Sequence, residues 1–337
     1  MKRFRARTPV RIDFLGGGSD APPFSVEHGG SVLNAGITRY AICTLEMDDS
    51  VKGIEIRSRD LNHSVSAESV KALEFNGELD LIKAAVKRTG IKEPFRLITE
   101  VDAPPQSGLG ASAAIVVSVI AACLTAQGEH CVPLELVHEA NCAERHDLGL
   151  AGGSQDPCGA AFGGIHYFEF LDPDIRVCPV EISPEMLAEL QHRLLLVYSG
   201  VSHLSDSIHD DIKSAYADDN SACKDAMFEL AALPKQGKKA LEDGDLNRFA
   251  ELLADNWAAH RKLHPSCTNS DLERFYDIAA QYNVLGGKTC GAGGGGCIVF
   301  VCAEGTKYEL AKALERENGL IVPFSFDQHG AFAWECP

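Results

Sequence analysis

Apolar and polar side chains alternate near the start of the chain. In "PVRIDFL" Val10, Ile12 and Phe14 share one face, and Arg11 and Asp13 share the other. A period of two predicts a strand with one face on a core. "YAICTLEM", "IEIRSR", "FRLITEVD" and "GGIHYFEF" read as further strands. The run "AAIVVSVIAACLTAQG" breaks this pattern and predicts a buried helix closed by Gly128. It is too short to span a bilayer and carries Ser118. "PLELVHEANCAERHDLG" predicts a helix over 133–148, with Pro133 at its start and Gly149 at its end.

A stretch with three prolines, "LDPDIRVCPVEISPEM", predicts a boundary near 175–193. Beyond it come the strand "RLLLVYSG" and a mostly helical region from about 205 to 282. The strand "CIVFVC", a helix near 306–318 and a last strand around 331–335 follow. Strands and helices occur in both halves without regular βα alternation. The class expected is α+β, in two domains covering 1–180 and 190–337.

Composition narrows the partners. Hydrophobic residues make up 45% of the 337, enough for a real core. The net charge of −17 argues against nucleic acid or an anionic membrane surface as the main partner. A small anionic ligand stays possible, because local basic residues override a global charge. Twelve cysteines are scattered without a C-x-x-C pair, and the basic "MKRFRARTPVRIDF" leads into no apolar segment. Reduced thiols in a cytoplasmic protein without a signal peptide are expected.

The candidate chemistry lies in the glycine-rich stretches. In "PPQSGLGASAA", residues 104–114, Gly108 and Gly110 let the backbone bend and expose its N–H groups beside a helix start. That combination holds phosphate, although a plain tight turn before a core helix also fits. It is not a Walker loop, since no Gly-Lys-Ser/Thr follows. Ser112 is placed either to cap the helix or to set a hydroxyl on a phosphate-bound magnesium ion. Leu134, Val137, Asn141, Glu144 and Leu148 follow a 3-4-3-4 spacing on one helical stripe. A carboxylate on that stripe either reaches solvent at the helix edge or ligates a hard cation. Asp156 sits in the small-residue frame "LAGGSQDPCGAAFGG", read as a loop. "LGGGSD" at 15–20 and "GAGGGGC" at 291–297 suit backbone that a ligand approaches closely.

Three of these stretches resemble, in order, the three motifs of the GHMP kinases, the superfamily of galactokinase, homoserine kinase, mevalonate kinase and phosphomevalonate kinase. Motif one is similar to "PVRIDFLGGGSD", motif two to "PPQSGLGASAA" and motif three to "KTCGAGGGGC". The resemblance implies an N-terminal domain like ribosomal protein S5 domain 2 over 1–180 and a ferredoxin-like C-terminal domain over 190–337. It implies that ATP is held by Pro105, Ser107, Gly108, Leu109, Gly110, Ala111, Ser112 and Ala113, with Mg2+ on Ser112 and Glu144. Ala111 stands where the family has a serine, so that hydroxyl is lost. Asp156 matches the catalytic base, and Arg11 the basic residue beside it. The sugar is implied to lie against Gly17, Gly18, Ser19, Asp20, Gly153, Asp156, Gly293 and Gly294.

Many members carry Gly-Glu-His before the motif-one Asp, whereas here Gly17 and Gly18 replace Glu and His. "GGGSDAPPFSVEHGGSVLNAGI" is similar to kinases that phosphorylate D-glycero-D-manno-heptose 7-phosphate at its anomeric hydroxyl. L-Fucose kinases are next, but they usually have Trp at the position of Gly18. The expected partner is therefore a small sugar or sugar phosphate. A free-sugar kinase and a non-catalytic regulator that binds sugar and ATP are the alternatives. A sugar 7-phosphate needs local cations, and Arg7, Arg39 and Lys288 are the candidates by position.

Overall fold

The computed structural model describes residues 1–48, 50–130, 132–200, 205–218 and 221–337. Its first sheet is built around two long antiparallel strands, β1 (Lys2–Leu15) and β2 (Gly30–Met47). The other strands are β3 (Ile54–Ser58), β4 (His63–Ala67), β5 (Phe95–Val101), β6 (Ile165–Leu171), β7 (Asp174–Pro179) and β8 (Leu194–Tyr198). They are completed by β9 (Gly286–Thr289), β10 (Cys297–Val301), β11 (Leu320–Ile321) and β12 (Phe332–Glu335). The first sheet runs β12-β1-β2-β5-β3-β4, and β6 leaves the path by pairing with both β2 and β7. The second sheet runs β11-β8-β10-β9.

β2 serves two neighbours because it is long. Residues 30–35 pair with β6, and residues 41–46 with β5. The sequence reading found only its second half, since "GSVLNAGIT" is buried on both faces and does not alternate. The β1–β2 register shifts between Pro9 and Val10, where proline offers no ladder donor, and again between Asp13 and Leu15. The second shift lies where the chain leaves the strand for the motif-one glycines.

The helices are α1 (Phe24–His28), α2 (Asp80–Arg88), α3 (Ala111–Ala126), α4 (Pro133–Asn141), α5 (Gln155–Phe162) and α6 (Pro184–Arg193). The second half adds α7 (Ser205–Ala217), α8 (Ser221–Glu242), α9 (Leu246–His260), α10 (Ser270–Gln281) and α11 (Lys307–Arg316). α3 packs on β1 and β2 and is flanked by α2, α4 and α5, which explains its apolar circumference. Its buried Val116, Val117, Val119 and Ile120 each contribute roughly 1.5–3 kcal/mol by leaving water. The second sheet is covered on both sides. Leu195, Val197, Ile298 and Phe300 meet Trp257, Leu272, Phe275, Leu310 and Leu314 from α9, α10 and α11. The alternate residues Leu194, Leu196, Val299 and Val301 join the main core. Four antiparallel strands backed by helices agree with the ferredoxin-like expectation, and the whole with the α+β one.

Several expectations are corrected. The stretch 175–193, read as a domain boundary, carries β7 and α6. The segment 190–337 does not stay with the second sheet: β12 returns to pair with β1, Phe4 opposite Glu335. The helix over 133–148 is not uniformly α. α4 ends at Asn141 and a π-helical turn, Cys142–Asp147, follows. The buried stripe is Leu136, Val137, Ala140 and Ala143, while Leu134 is exposed. The extra residue in the wide turn re-aims the side chains after Asn141. All described cysteines are free, and no described helix is long and apolar enough to cross a membrane.

Candidate active site

β1 delivers Arg11 to the floor of a cleft of about 380 Å³. Arg11 is 2% exposed, and its guanidinium joins three elements. Its Nη1 donates to the Gly108 carbonyl at 2.5 Å, and its Nε and Nη2 donate to Asp156 Oδ1 at 2.9 and 2.5 Å. The Arg11 backbone N–H donates to the Leu109 carbonyl at 2.9 Å. Burial opposes the charge on Arg11, but Asp156 and Asp13 outweigh it and its pKa is raised.

Asp156 lies in the first turn of α5 rather than in a loop. Pro157 is the third helical residue, where a missing N–H leaves no bond unmade. Arg11 engages only Oδ1 of this carboxylate. Oδ2 faces the motif-two loop, since a Cβ built on Gly110 would lie 3.2 Å from it. Gly110, at φ +73°, therefore lets the loop lie directly against the carboxylate.

The same loop is tied to motif three. A Cβ on Gly108 would meet the Cys290 carbonyl at 2.4 Å, and the Cys297 N–H donates to the Ser107 carbonyl at 2.8 Å. Gly110 in the left-handed conformation precedes α3 and no side chain caps it. Ser112 is thus not the cap. It sits in the first turn of α3 and lines the cleft with Ser107, Gly108, Gly110 and Ala111. The unbonded N–H groups of that turn, and the positive end of the α3 dipole, are at this wall.

Glu144 stands in the π-helical turn and lines the same cleft. The turn is anchored by Arg88, whose Nε and Nη2 donate to Asp147 at 2.7 Å each. Arg145 reaches the other way, its Nη2 donating to Ser154 Oγ at 2.6 Å just before α5. The turn that carries Glu144 and the helix that carries Asp156 are thereby linked.

Asp20 forms the far wall. It is 2% exposed, and its Oδ2 accepts from the Gln155 N–H at 2.9 Å and its Oδ1 from the Gly18 N–H at 3.1 Å. Burial raises its pKa, the two N–H bonds oppose that, and the nearby Asp156 and Asp13 add to it. Gly153 covers this carboxylate so closely that a Cβ would fall 1.8 Å from Oδ2.

The chain carries GHMP kinase signatures in both halves: the model "GHMP kinases N terminal domain" matches residues 79–164, and "GHMP kinases C terminal" matches 238–319. The chain is 34% identical over 340 residues to the D-glycero-alpha-D-manno-heptose 7-phosphate kinase of Campylobacter jejuni, covering 99% of both chains. It belongs to the GHMP kinases. It is also similar to the crystal structure of a D-glycero-D-manno-heptose 1-phosphate kinase from Bacteroides thetaiotaomicron. That likeness has a TM-score of 0.82 and 32% identity, over 99% of each chain. A third relative is the bifunctional fucokinase/GDP-fucose pyrophosphorylase of Arabidopsis thaliana, 30% identical over 93% of this chain but only 31% of that protein.

Within this sugar kinase the cleft gathers Arg11, Gly18, Asp20, Gly153 and Asp156 with the motif-two wall and Glu144. Other expected site residues support it from behind. Gly17 packs on the Asp13 carboxylate, and the Ser19 hydroxyl donates to the Gly16 carbonyl at 2.8 Å. Leu109 and Ala113 are buried, and the Pro105 carbonyl accepts from Tyr198 Oη at 3.2 Å. Gly293 and Gly294 turn away: the Gly294 N–H donates to the Cys267 carbonyl at 2.7 Å, and a Cβ on Gly293 would strike that same oxygen. Motif three meets the cleft through Gly291 and Ala292 instead.

The three basic candidates for a sugar phosphate are also displaced. Lys288 is 0% exposed and donates to Asp13 Oδ2 at 2.5 Å and to the Asp13 carbonyl at 3.0 Å. Arg39 donates to the Pro323 carbonyl and Asp102, and Arg7 lies 4.8 Å over the Tyr40 ring. Neither arginine lines the cleft. Besides residues 21–24 and 150–152, the lining residues missed by the sequence reading include a group from the helical region: His209, Ile212, Lys213 and Tyr216 of α7, Met227 of α8 and His260 of α9. His260 Nε2 donates to the Ala292 carbonyl at 3.0 Å, and burial, aided by Lys288, lowers its pKa to about 4. The only sequence signal for α7 was the helical spacing of 209, 212, 213 and 216, which does not say what the face meets.

Proposed function

We propose that this kinase transfers the γ-phosphoryl group of ATP to the anomeric hydroxyl of D-glycero-D-manno-heptose 7-phosphate. The observation that carries the reading is the Asp156 carboxylate. It is fixed by Arg11 through one oxygen and presents the other between the motif-two loop and the Asp20 wall. Similarity at 34% identity along the full chain to a heptose 7-phosphate kinase supports the acceptor.

The fit of ATP rests on the loop. Gly108 and Gly110 both lie at positive φ, and a Cβ on either would fill space against Cys290 or Asp156. The backbone of 107–112 and the start of α3 hold the nucleotide phosphates. Ser112 and Glu144 offer two hard oxygen donors on the same cleft. That donor set fits Mg2+, which takes one or two protein oxygens together with nucleotide phosphates and waters. When bound, the ion neutralises charge on the transferring phosphoryl group.

The chain's own residues do the rest. Asp156 Oδ2 takes the proton of the acceptor hydroxyl as its oxygen bonds the γ-phosphorus and the bond to the ADP oxygen breaks. Arg11 keeps Oδ1 occupied, so the accepting oxygen is aimed at the loop rather than rotated away. Asp20 accepts hydrogen bonds from sugar hydroxyls, its geometry set by the Gln155 and Gly18 N–H groups. The test is ATP turnover with heptose 7-phosphate, L-fucose, galactose and mannose side by side. Heptose 7-phosphate is expected to give the highest kcat/KM, and a higher value for fucose would replace it as acceptor.

A further inference from the structure

α7 carries two basic side chains on the face it turns to the cleft. His209, Ile212, Lys213 and Tyr216 all line the cavity, and their spacing of three, four and seven puts them on one stripe. Ile212 and Tyr216 anchor the helix in a small apolar core with Phe24, Met227 and Leu263. Tyr216 meets the Phe24 ring edge-on at 6.2 Å and its hydroxyl donates to Glu27 at 2.7 Å. These contacts hold α7 against the segment that follows Asp20.

His209 and Lys213 stand one turn apart on this anchored face. Lys213 has neither an ion pair nor a hydrogen bond among the described residues. Lys239, Lys262 and Lys312 in this half are matched by Asp243, Glu229 and Glu315, and Lys235, unmatched among the described residues, does not line the cleft. Arg11, the other cation lining the cleft, is committed to Asp156. In a chain of net charge −17, an unmatched ammonium lining the same cleft as Asp20 marks a place for an anion.

The geometry points to His209 and Lys213 as the residues that bind the phosphate already on the acceptor, and so set the preference for a sugar phosphate over the free sugar. The inference rests on the reading of the acceptor as a sugar phosphate. Lys213 supplies charge to the dianion, and the His209 imidazole N–H donates to a phosphate oxygen. Both bind the phosphate the acceptor already carries and not the reacting hydroxyl, so the effect belongs in KM.

The test measures kcat/KM for heptose 7-phosphate and for unphosphorylated heptose with the intact chain and with Lys213→Met, His209→Gln and the double variant. Affinity for ATP serves as the check on folding. The expected result is a strong wild-type preference for the phosphorylated sugar. The ratio of the two kcat/KM values should fall tenfold or more in Lys213→Met, through KM, and further in the double variant. Inorganic phosphate should compete with heptose 7-phosphate in the wild type and lose that competition in Lys213→Met. A preference ratio that stays at the wild-type value in the double variant, with ATP affinity intact, overturns the role of α7 alone. A wild type that uses both sugars equally overturns the sugar-phosphate reading as well.

Discussion

Replacing Lys288 by Met isolates the contact that joins motif one to motif three beneath the cleft. Lys288 on β9 and Asp13 on β1 are both 0% exposed, and the ammonium donates to Asp13 Oδ2 at 2.5 Å and to its carbonyl at 3.0 Å. Asp13 Oδ1 has no hydrogen-bond partner, so the lysine is the main compensation for this carboxylate. The carboxylate is also boxed in: a Cβ on Gly17 would lie 2.1 Å from Oδ2. Lys288→Met keeps the aliphatic bulk and strands a buried charge. Breaking one side of such a pair costs about 3–5 kcal/mol. That is a large part of the roughly 5–15 kcal/mol by which a domain is stable. Urea unfolding followed by far-UV circular dichroism reads the loss as a lower midpoint at unchanged slope. Asp13→Leu combined with Lys288→Met removes both charges and should recover most of it, because apolar replacements of a buried pair are often neutral or stabilising. A loss below about 1 kcal/mol in Lys288→Met, or strictly additive losses in the double variant, would refute the reasoning.

Three further outcomes are expected. Asp156→Asn should fold and bind ATP but lose about 10²–10⁴-fold in kcat, the range for a removed general base; near-wild-type turnover would dismiss Asp156 from that role. Ser112→Ala and Glu144→Gln should each raise the Mg2+ concentration for half-maximal activity, with non-additive effects in the double variant because both belong to one site; an unchanged titration in both would contradict it. His260 has a folded pKa of about 4 against 6.5 for the ordinary side chain. Between those values the unfolded chain binds the proton and the folded one does not. Stability should therefore fall as pH drops through that window, by up to about 1.4 kcal/mol per unit from this residue. Unfolding in urea at pH 7 and pH 5 should show a shallower dependence in His260→Gln, and equal slopes would remove His260 as a source.

The motifs were legible because each depends on local backbone chemistry. Gly108 and Gly110 declare positive φ, and the apolar run after them declares a buried helix. Asp156 and Arg11 were paired only by resemblance, since no periodicity brings residues 145 positions apart together. Ser112 as a cap failed because a left-handed glycine begins α3, and the single stripe over 134–148 failed because a π-helical turn interrupts it after Asn141 and Leu134 is exposed in the first turn of α4. Gly293 and Gly294 do not line the cleft, because these two motif-three glycines pack against the Cys267 carbonyl. Lys288 failed because a lysine beside a glycine run reads as a ligand contact, while the partner that buries it lies on β1. His209 and Lys213 were invisible because an amphipathic helix does not announce which cleft its face completes.

The direct test of the central claim is where the new phosphate goes. Incubation with ATP and heptose 7-phosphate, followed by 31P and 1H NMR of the product, locates it. The account predicts a second phosphorus signal coupled to the anomeric proton, formed in step with ADP and about 10²–10⁴-fold more slowly with Asp156→Asn. A phosphorus coupled to any other sugar proton, or release of inorganic phosphate without a sugar product, would contradict it.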